Sequence, residues 1–232
     1  MKLSLIIPFR NERGYARTVV KHVHDYLSKS GITFEIIAVD DSTDETWIIL
    51  KGLEKKYKNL RAVQGWKPPG YGKALRKGFE MARGDIVVPY NGDMCDSLDD
   101  VMKYVGIIDK GYNMAFGSRY MKGSRVVNYP SDKLVFSRLG NLFLQFISLS
   151  SCSDITNTFK AYGRGSIKKI NPKTDSFEIG IELALKGIRK GLTYKTIPIS
   201  WTGRTSGESK MNIPRAILKH FKTSMKIILG II

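Results

Sequence analysis

The chain has 232 residues, of which 42% are hydrophobic, enough to bury the core of one large α/β domain or two small ones. Its 38 Lys and Arg residues against 21 Asp and Glu give a net charge of +17. Such a charge favours binding to nucleic acid, to phosphorylated substrates or to an anionic membrane. The alternative is that the charge only reflects a basic proteome. The two cysteines, Cys95 and Cys152, form no CxxC pair, which excludes a disulfide-rich secreted scaffold.

The N-terminal apolar segment is too short for a signal peptide, and no uncharged apolar run reaches the roughly 18 residues of a transmembrane helix. We therefore expect a cytosolic, reducing location and no complete membrane span.

The first half of the chain alternates strands and helices. Its continuous apolar runs are typical of strands buried on both faces, and the segments between them have apolar residues at helical spacing. We predict strands over 3–9, 34–41, 60–66, 85–91 and 112–120, and helices over 14–31, 43–57, 72–84 and 98–111. This alternation predicts a mostly parallel α/β sheet with helices on both faces.

Three of these strands end in polar segments, "RNE" (10–12), "DDSTD" (40–44) and "NGDMCD" (91–96). Ligands of parallel α/β sheets bind beyond the carboxyl ends of the strands, so we expect the three segments to converge on one site. Carboxylates there can accept hydrogen bonds from ribose hydroxyls and base N–H groups, and they are suitable ligands for Mg²⁺. The alternative interpretation of 91–96 is a solvated acidic loop.

The second half of the chain contains two amphipathic segments. Residues 134–150 predict a helix with one apolar face (Leu139, Leu142, Phe143, Phe146 and Ile147) opposite Arg138, Asn141 and Gln145. A helix over 177–191, a strand over 192–201 and a basic loop over 202–212 follow.

The last segment, 213–232, predicts a helix with an apolar stripe facing a basic side. The pattern is typical of a helix at a membrane surface, but a helix docked on the protein's own core would show it too. The stripe consists of Ile213, Ile217, Phe221, Met225, Ile228 and Ile232, and the basic side of Arg215, Lys219, Lys222 and Lys226.

Seven motifs, "LIIPFRNE", "VDDSTDET", "GKALRKGFEMARGD", "NGD", "GSRY", "DITNTFKAY" and "RTSGESKMN", occur in the order and spacing of family 2 glycosyltransferases. Over residues 3–212 the chain most resembles polyprenyl-phosphate sugar transferases of the dolichyl-phosphate mannose synthase type. The resemblance implies a GT-A fold, a nucleotide-sugar donor, a divalent metal (Mg²⁺ or Mn²⁺) and a lipid-phosphate acceptor, with inversion at the anomeric carbon.

The resemblance also implies which residues bind the donor. For the metal it points mainly to Asp93, helped by Asn91 or Asp96, although the family usually has Asp where this chain has Asn91. Asp44 has a second interpretation as a helix cap, because it lies beside a predicted helix start. The residues implied in donor-nucleotide binding are Pro8, Glu12, Asp41, Asp44, Lys73, Asn91, Gly92 and Asp93.

On the acceptor side, the resemblance implies that Arg119, Ser137 and Arg138 bind phosphate, and that Asp154, Arg204 and Lys210 take part in catalysis. Arginine suits this role because its guanidinium can hold phosphate oxygens in a bidentate manner. A phosphate acceptor is already anionic at neutral pH and has little need of a general base. Asp154 therefore has three open interpretations: base, acceptor-orienting residue or structural residue.

We expect an inverting, metal-dependent transferase that moves a sugar from a nucleotide sugar to a polyprenyl or dolichyl phosphate. GDP-mannose is favoured as the donor, and a UDP-hexose stays open as the alternative. One alternative is a saccharide or protein hydroxyl as acceptor, with Asp154 as the base. Another is a basic nucleic-acid-binding protein, but we find no zinc finger, RRM signature or basic stripe with interleaved aromatic residues, and expect no specific nucleic acid partner.

We expect residues 1–212 to form the catalytic domain, with a nucleotide-sugar half over 1–117 and an acceptor half over 118–212, followed by the amphipathic helix. The enzyme is then expected on the cytoplasmic side of a membrane, bound peripherally or through that helix.

Overall fold

The computed structural model describes residues 2–203 and 213–231. Within these ranges the chain forms a seven-stranded sheet with helices on both faces, and a separate two-stranded sheet. The large sheet contains β1 (Leu3–Phe9), β2 (Phe34–Asp40), β3 (Leu60–Gln64), β4 (Ile86–Pro89), β5 (Met114–Ser118), β7 (Lys160–Gly163) and β8 (Tyr194–Pro198). The small sheet pairs β6 (Arg125–Val127) with β9 (Ser200–Thr202). The helices are α1 (Ala16–Ser28), α2 (Thr46–Lys56), α3 (Tyr71–Met81), α4 (Leu98–Asp109), α5 (Ser131–Ile147), α6 (Arg164–Ile170), α7 (Ile179–Arg189) and α8 (Ile213–Ile228).

The strand order of the large sheet is β3-β2-β1-β4-β7-β5-β8. Every pairing is parallel except those of β7, which runs antiparallel to β4 on one side and to β5 on the other. The predicted mostly parallel α/β sheet is therefore confirmed. Because β1, β2 and β4 are neighbours running in one direction, the polar segments that follow them meet at one edge.

Two hydrophobic cores cover the two faces of the large sheet. Leu5 and Ile7 of β1 point into the core formed with α1, α2 and α4, whereas Ile6 points into the core formed with α3 and α7. Alternate residues of a strand face opposite sides, so a strand covered on both faces needs apolar residues throughout. This explains the continuous apolar run of β1.

Several predicted boundaries were wrong. The strand predicted over 192–201 is divided into β8 and β9, because the chain leaves the large sheet after Pro198 and the backbone N–H of Ser200 donates to Asp100 Oδ2 at 2.7 Å. The short elements β6, β7 and α6 were not predicted. The second helix begins at Thr46, three residues later than predicted.

Helix α5 has its apolar face turned outward. Most of its apolar residues are exposed, with 63% of Phe136 and 78% of Phe146 accessible, while Leu144 and Asn141 are buried. Asn141 Nδ2 donates to Thr156 Oγ1 at 2.9 Å, and Asn141 Oδ1 accepts from the N–H of Thr156 at 3.0 Å. The helix is amphipathic as predicted, but it packs on the protein through the side that carries Asn141 and Leu144.

Helix α8 packs on the protein through residues that are not part of its predicted stripe. Met225 and Ile228 of the stripe are half-buried, and the side chains of Ile213, Ile217 and Ile232 lie outside the described part of the structure. Ser224 and Ile227 are fully buried, and Ile227 joins the core that contains α7. Phe221 and Leu229 are exposed, and Phe221 stacks on Phe143 of α5 with ring centroids 5.8 Å apart. The helix is thus docked on the core and also extends the apolar surface of α5. Within the described ranges, no helix combines the length and low charge that crossing a membrane requires.

Candidate active site

The segments after β1 and β2 are joined by hydrogen bonds. The backbone N–H of Asn11 donates to Ser42 Oγ at 2.8 Å, and Asn11 Oδ1 accepts from the N–H of Thr43 at 2.9 Å. The N–H of Glu12 donates to Thr46 Oγ1 at 3.0 Å, at the start of α2. Asn11 has φ 55°, a left-handed conformation that Asn tolerates better than most residues. The predicted convergence of these two segments is confirmed.

Asp41 is a buried carboxylate with an unused oxygen. Its Oδ2 accepts from the N–H of Gly70 at 3.4 Å, and its Oδ1 has no hydrogen-bond partner among the described residues. A Cβ on Gly65 would lie 2.2 Å from this Oδ1, so a larger residue at position 65 would force the carboxylate out of its present position. Buried polar atoms are nearly always hydrogen-bonded, so Asp41 Oδ1 is suited to accept an N–H or O–H from a ligand.

Asp44, in contrast, is used within the protein. Its Oδ1 accepts from the N–H of Thr46 at 3.0 Å and from Thr46 Oγ1 at 2.5 Å. Burial acts to raise the pKa of Asp44, but these hydrogen bonds outweigh it and lower the pKa. The geometry fits the helix-capping interpretation, and donor binding by Asp44 stays a prediction. Pro8 lies in β1 opposite Val39 of β2, one strand position before the end of β1.

The acidic segment after β4 is folded by its own side chains. Asn91 Nδ2 donates to Asp96 Oδ2 at 3.1 Å, and Asp93 Oδ1 accepts from the N–H of Cys95 at 3.1 Å. Gly92 lies over the end of β1, and a Cβ there would be in ordinary contact, 3.7 Å from the nearest atoms. Asn91, Asp93 and Asp96 thus lie together at the same edge as Asp41.

The residues of this loop fit a divalent cation. Burial, followed by the negative charge of Asp93, raises the pKa of Asp96 to about 7, as expected for a buried carboxyl group close to a second carboxylate. Mg²⁺ is commonly bound by one or two carboxylates, with phosphates supplying further oxygens. No cluster of three His, Cys, Asp or Glu side chains occurs in the part of the chain that the structure describes. Asp93 and Asp96 therefore suit a cation that arrives with a diphosphate.

One wall of the site is formed by the start of α3 and the segment before α7. The N–H groups of Gly72 and Lys73 donate to the carbonyl oxygen of Asp175, at 3.0 and 3.3 Å. Lys73 Nζ donates to the carbonyl of Pro68 at 3.1 Å and lies 3.8 Å from Asp175 Oδ2. Lys73, predicted to bind the donor, is thus at the site but has contacts within the protein.

Glu182, to which the sequence assigned no role, holds this wall in place. It is fully buried and accepts from the N–H groups of Lys173 and Thr174 at 2.8 and 2.7 Å, and from Lys186 Nζ at 2.5 Å. Burial acts to raise its pKa, but the hydrogen bonds from Lys186 and Thr174 outweigh it and lower the pKa. The sequence signal that could have indicated this ion pair is the spacing of Glu182 and Lys186, four residues apart on a predicted helix.

Arg119 and Asp154 form a buried, bidentate ion pair. Arg119 Nε and Nη2 donate to the two oxygens of Asp154 at 2.8 and 2.9 Å, and the N–H of Arg119 adds a third hydrogen bond at 3.1 Å. Burial acts to lower the pKa of Arg119, but the charge of Asp154 and its hydrogen bonds outweigh it and raise the pKa. Both oxygens of Asp154 are thus occupied, which favours an orienting or structural role over that of a general base.

Aromatic side chains connect this ion pair to α5. The rings of Tyr120 and Tyr129 each lie with their centroid 5.5 Å from the Arg119 guanidinium carbon. The hydroxyl of Tyr120 donates to Ser137 Oγ at 2.6 Å, and Arg138 is the next, exposed residue of α5. The structure therefore brings Arg119 and Ser137 into one region, with Arg138 next to Ser137 in the chain, and their binding of phosphate stays a prediction. Arg204 and Lys210 lie outside the described residues.

Comparison with known proteins identifies the family. Residues 4–170 match the model of glycosyl transferase family 2. The chain belongs to this family. The dolichol-phosphate mannosyltransferase of Pyrococcus furiosus is 31% identical over 215 residues, which are 91% of this chain and 59% of that protein. The polyprenol monophosphomannose synthase of Mycolicibacterium smegmatis is 30% identical over 226 residues, 93% of this chain and 84% of that protein.

Solved structures establish the fold of this family 2 chain. The glucosyl-3-phosphoglycerate synthase from Mycobacterium tuberculosis, in complex with Mn²⁺ and uridine-diphosphate-glucose, superimposes with a TM-score of 0.72 at 18% identity. The match covers 99% of this chain and 79% of that protein. The predicted family, GT-A fold and glycosyltransferase class are therefore confirmed.

Proposed function

We propose that this protein is an inverting, metal-dependent glycosyltransferase that moves a sugar from a nucleotide sugar to a polyprenyl phosphate on the cytoplasmic side of a membrane. One observation carries the choice of acceptor. Ser137, hydrogen-bonded to Tyr120 beside Arg119, lies on the same helix whose exposed face carries phenylalanine and leucine side chains. A polyprenyl phosphate matches this combination of charge and apolar surface, because its phosphate would lie next to Arg119 and its isoprenoid chain along α5.

The donor site is proposed at the edge formed after β1, β2 and β4. Asp41 Oδ1, buried and without a partner among the described residues, would accept a base N–H, which both guanine and uracil can donate. The names of the two relatives favour mannose, and hence GDP-mannose, over a UDP-hexose. Asp93 and Asp96 would hold Mg²⁺ or Mn²⁺, which supplies charge that stabilises the departing diphosphate when bound.

In the proposed reaction, an acceptor phosphate oxygen attacks the anomeric carbon from the face opposite the diphosphate. The new carbon–oxygen bond forms as the bond to the diphosphate oxygen breaks, and the leaving nucleoside diphosphate takes the electron pair. The acceptor phosphate is already anionic, so no residue has to remove a proton. Asp154 then serves to hold the Arg119 guanidinium by two hydrogen bonds, and the hydroxyl-acceptor alternative loses its proposed base.

The outward face of α5 is proposed to lie on the membrane. Exposed Phe136, Leu139 and Phe146 provide apolar side chains, and exposed Leu149 follows the end of the helix. Exposed Phe221 of α8 continues the surface through its stacking on Phe143. An amphipathic helix binds a bilayer by burying such side chains at the headgroup boundary. The net charge of +17 adds attraction to an anionic cytoplasmic leaflet.

A transfer screen tests the proposal. GDP-mannose, UDP-glucose, UDP-GlcNAc and UDP-galactose are each incubated with the protein and Mg²⁺ or Mn²⁺, with a short polyprenyl phosphate or the matched polyprenol that lacks the phosphate. We expect one donor to yield a glycosyl lipid with the phosphate and none with the alcohol. Turnover of a donor that does not depend on the lipid phosphate would overturn the assignment of the acceptor.

A further inference from the structure

Tyr71 links the two walls of the site. It is the first residue of α3, whose next two N–H groups are bound by the carbonyl of Asp175. Its ring stacks on that of Phe177, with centroids 4.7 Å apart and an angle of 19° between the planes. The stacking holds the ring, and the bonds to Asp175 hold the backbone from which the ring extends. The hydroxyl of Tyr71 is also in hydrogen-bond contact with the side chain of Thr158.

The hydroxyl of Tyr71 donates to Asn91 Oδ1 at 2.8 Å. The other end of the same carboxamide, Nδ2, donates to Asp96 Oδ2 at 3.1 Å. A carboxamide has one accepting and one donating end, and the last torsion of Asn has broad, roughly two-fold preferences. Its orientation therefore depends on its neighbours, and here a donor lies at the oxygen end and an acceptor at the nitrogen end.

We propose that Tyr71 is a positioning residue for the acidic loop: its hydroxyl fixes the Asn91 carboxamide so that Nδ2 stays on the Asp96 carboxylate. Asp96 is buried, and a buried carboxylate needs donors to keep one arrangement. Through Asn91, Tyr71 sets which oxygens of the loop face a divalent cation and diphosphate. That ligand assignment rests on the proposed function, whereas the orientation of the amide does not.

The first experiment needs no ligand. Protein labelled with ¹⁵N in its asparagine side chains gives Asn91 amide signals that can be identified by their loss in Asn91→Asp. We expect these signals to shift in Tyr71→Phe and their protons to exchange with solvent at least threefold faster. Tyr194→Phe is the matched control, because Tyr194 also stacks on a phenylalanine, with centroids 5.0 Å apart, and also has a hydrogen-bonded hydroxyl. Unchanged Asn91 signals in Tyr71→Phe would overturn the proposal.

The second experiment measures binding of Mn²⁺ with GDP, and of Mn²⁺ with UDP, by titration calorimetry. We expect Tyr71→Phe to weaken binding about threefold to tenfold, the range of one lost hydrogen bond, and Tyr194→Phe to leave it within twofold. In an Asn91→Ala background the effect of Tyr71→Phe should fall below twofold, because the carboxamide through which the hydroxyl acts is absent. An equal effect in both backgrounds would show that Tyr71 acts only through packing.

The two experiments separate this inference from the proposed function. If the wild-type protein binds neither nucleotide with Mn²⁺, the proposed donor site is wrong, and the amide signals still decide whether Tyr71 orients Asn91. If the wild type binds a nucleotide and Tyr71→Phe binds it equally well, the donor site is retained and the positioning role is rejected.

Discussion

The outward face of α5 should determine how tightly the protein binds a membrane. Replacing Phe146, which is 78% exposed, by Ser removes an apolar ring that makes little contact with the protein itself. Burying a whole Phe side chain contributes about 1.5–3 kcal/mol, so the exposed fraction corresponds to about 1.2–2.3 kcal/mol. Because 1.4 kcal/mol is a factor of ten, vesicle affinity should fall roughly sevenfold to fortyfold.

The assay is co-sedimentation with vesicles of phosphatidylcholine and phosphatidylserine at fixed salt. Ile48→Ser is the control, because Ile48 is 70% exposed on α2, which packs on the opposite face of the large sheet. We expect Ile48→Ser to change the partition less than twofold, and both variants to unfold within about 0.5 kcal/mol of the wild type. Equal partition of Phe146→Ser and wild type, or an equal loss in Ile48→Ser, would refute the assignment of this surface to the membrane.

Three further substitutions test the polar residues of the site. Asp41→Asn should weaken nucleotide binding about tenfold or more by calorimetry, because a base N–H loses a charged acceptor; unchanged affinity would place the base elsewhere. Asp44→Ala should cost about 1 kcal/mol in urea unfolding through loss of the cap on Thr46, with nucleotide affinity unchanged, and a large loss of affinity would instead support donor binding. Asp154→Asn should lower the free energy of unfolding by about 3–5 kcal/mol by leaving Arg119 buried and unpaired; full stability with no transfer would identify Asp154 as a base.

The first half of the fold could be predicted because its strands are buried on both faces. Such strands have an apolar residue at nearly every position, as in β1, and the pattern is local. Strand β7 escaped prediction because it has four residues, one of them the buried Lys160, and is defined by antiparallel pairing with strands distant in sequence. Periodicity revealed α5 as amphipathic but could not give its orientation, since the buried side depends on the contact between Asn141 and Thr156.

The same difference between local sequence patterns and contacts of distant residues applies to the candidate site. Asp41 and Asp93 could be found from sequence because Asp41 directly follows β2 and Asp93 lies four residues after the end of β4, at the same edge of the sheet. The pairing of Arg119 with Asp154 joins residues 35 positions apart, and the contact of Tyr71 with Asn91 spans 20 positions, so neither follows from a local pattern. Sequence therefore indicated the groups that we propose as ligand contacts, and the structure was needed to find the contacts that orient them.

The most direct test of the central claim is to determine the bond made in the product. The protein is incubated with the active nucleotide sugar, Mg²⁺ and a short polyprenyl phosphate, and the extracted lipid is analysed by mass spectrometry and ³¹P NMR. We predict a mass equal to the acceptor plus one sugar residue, and conversion of the phosphate monoester signal to that of a diester. A sugar attached to a hydroxyl, or free sugar with the lipid phosphate still a monoester, would contradict transfer to polyprenyl phosphate.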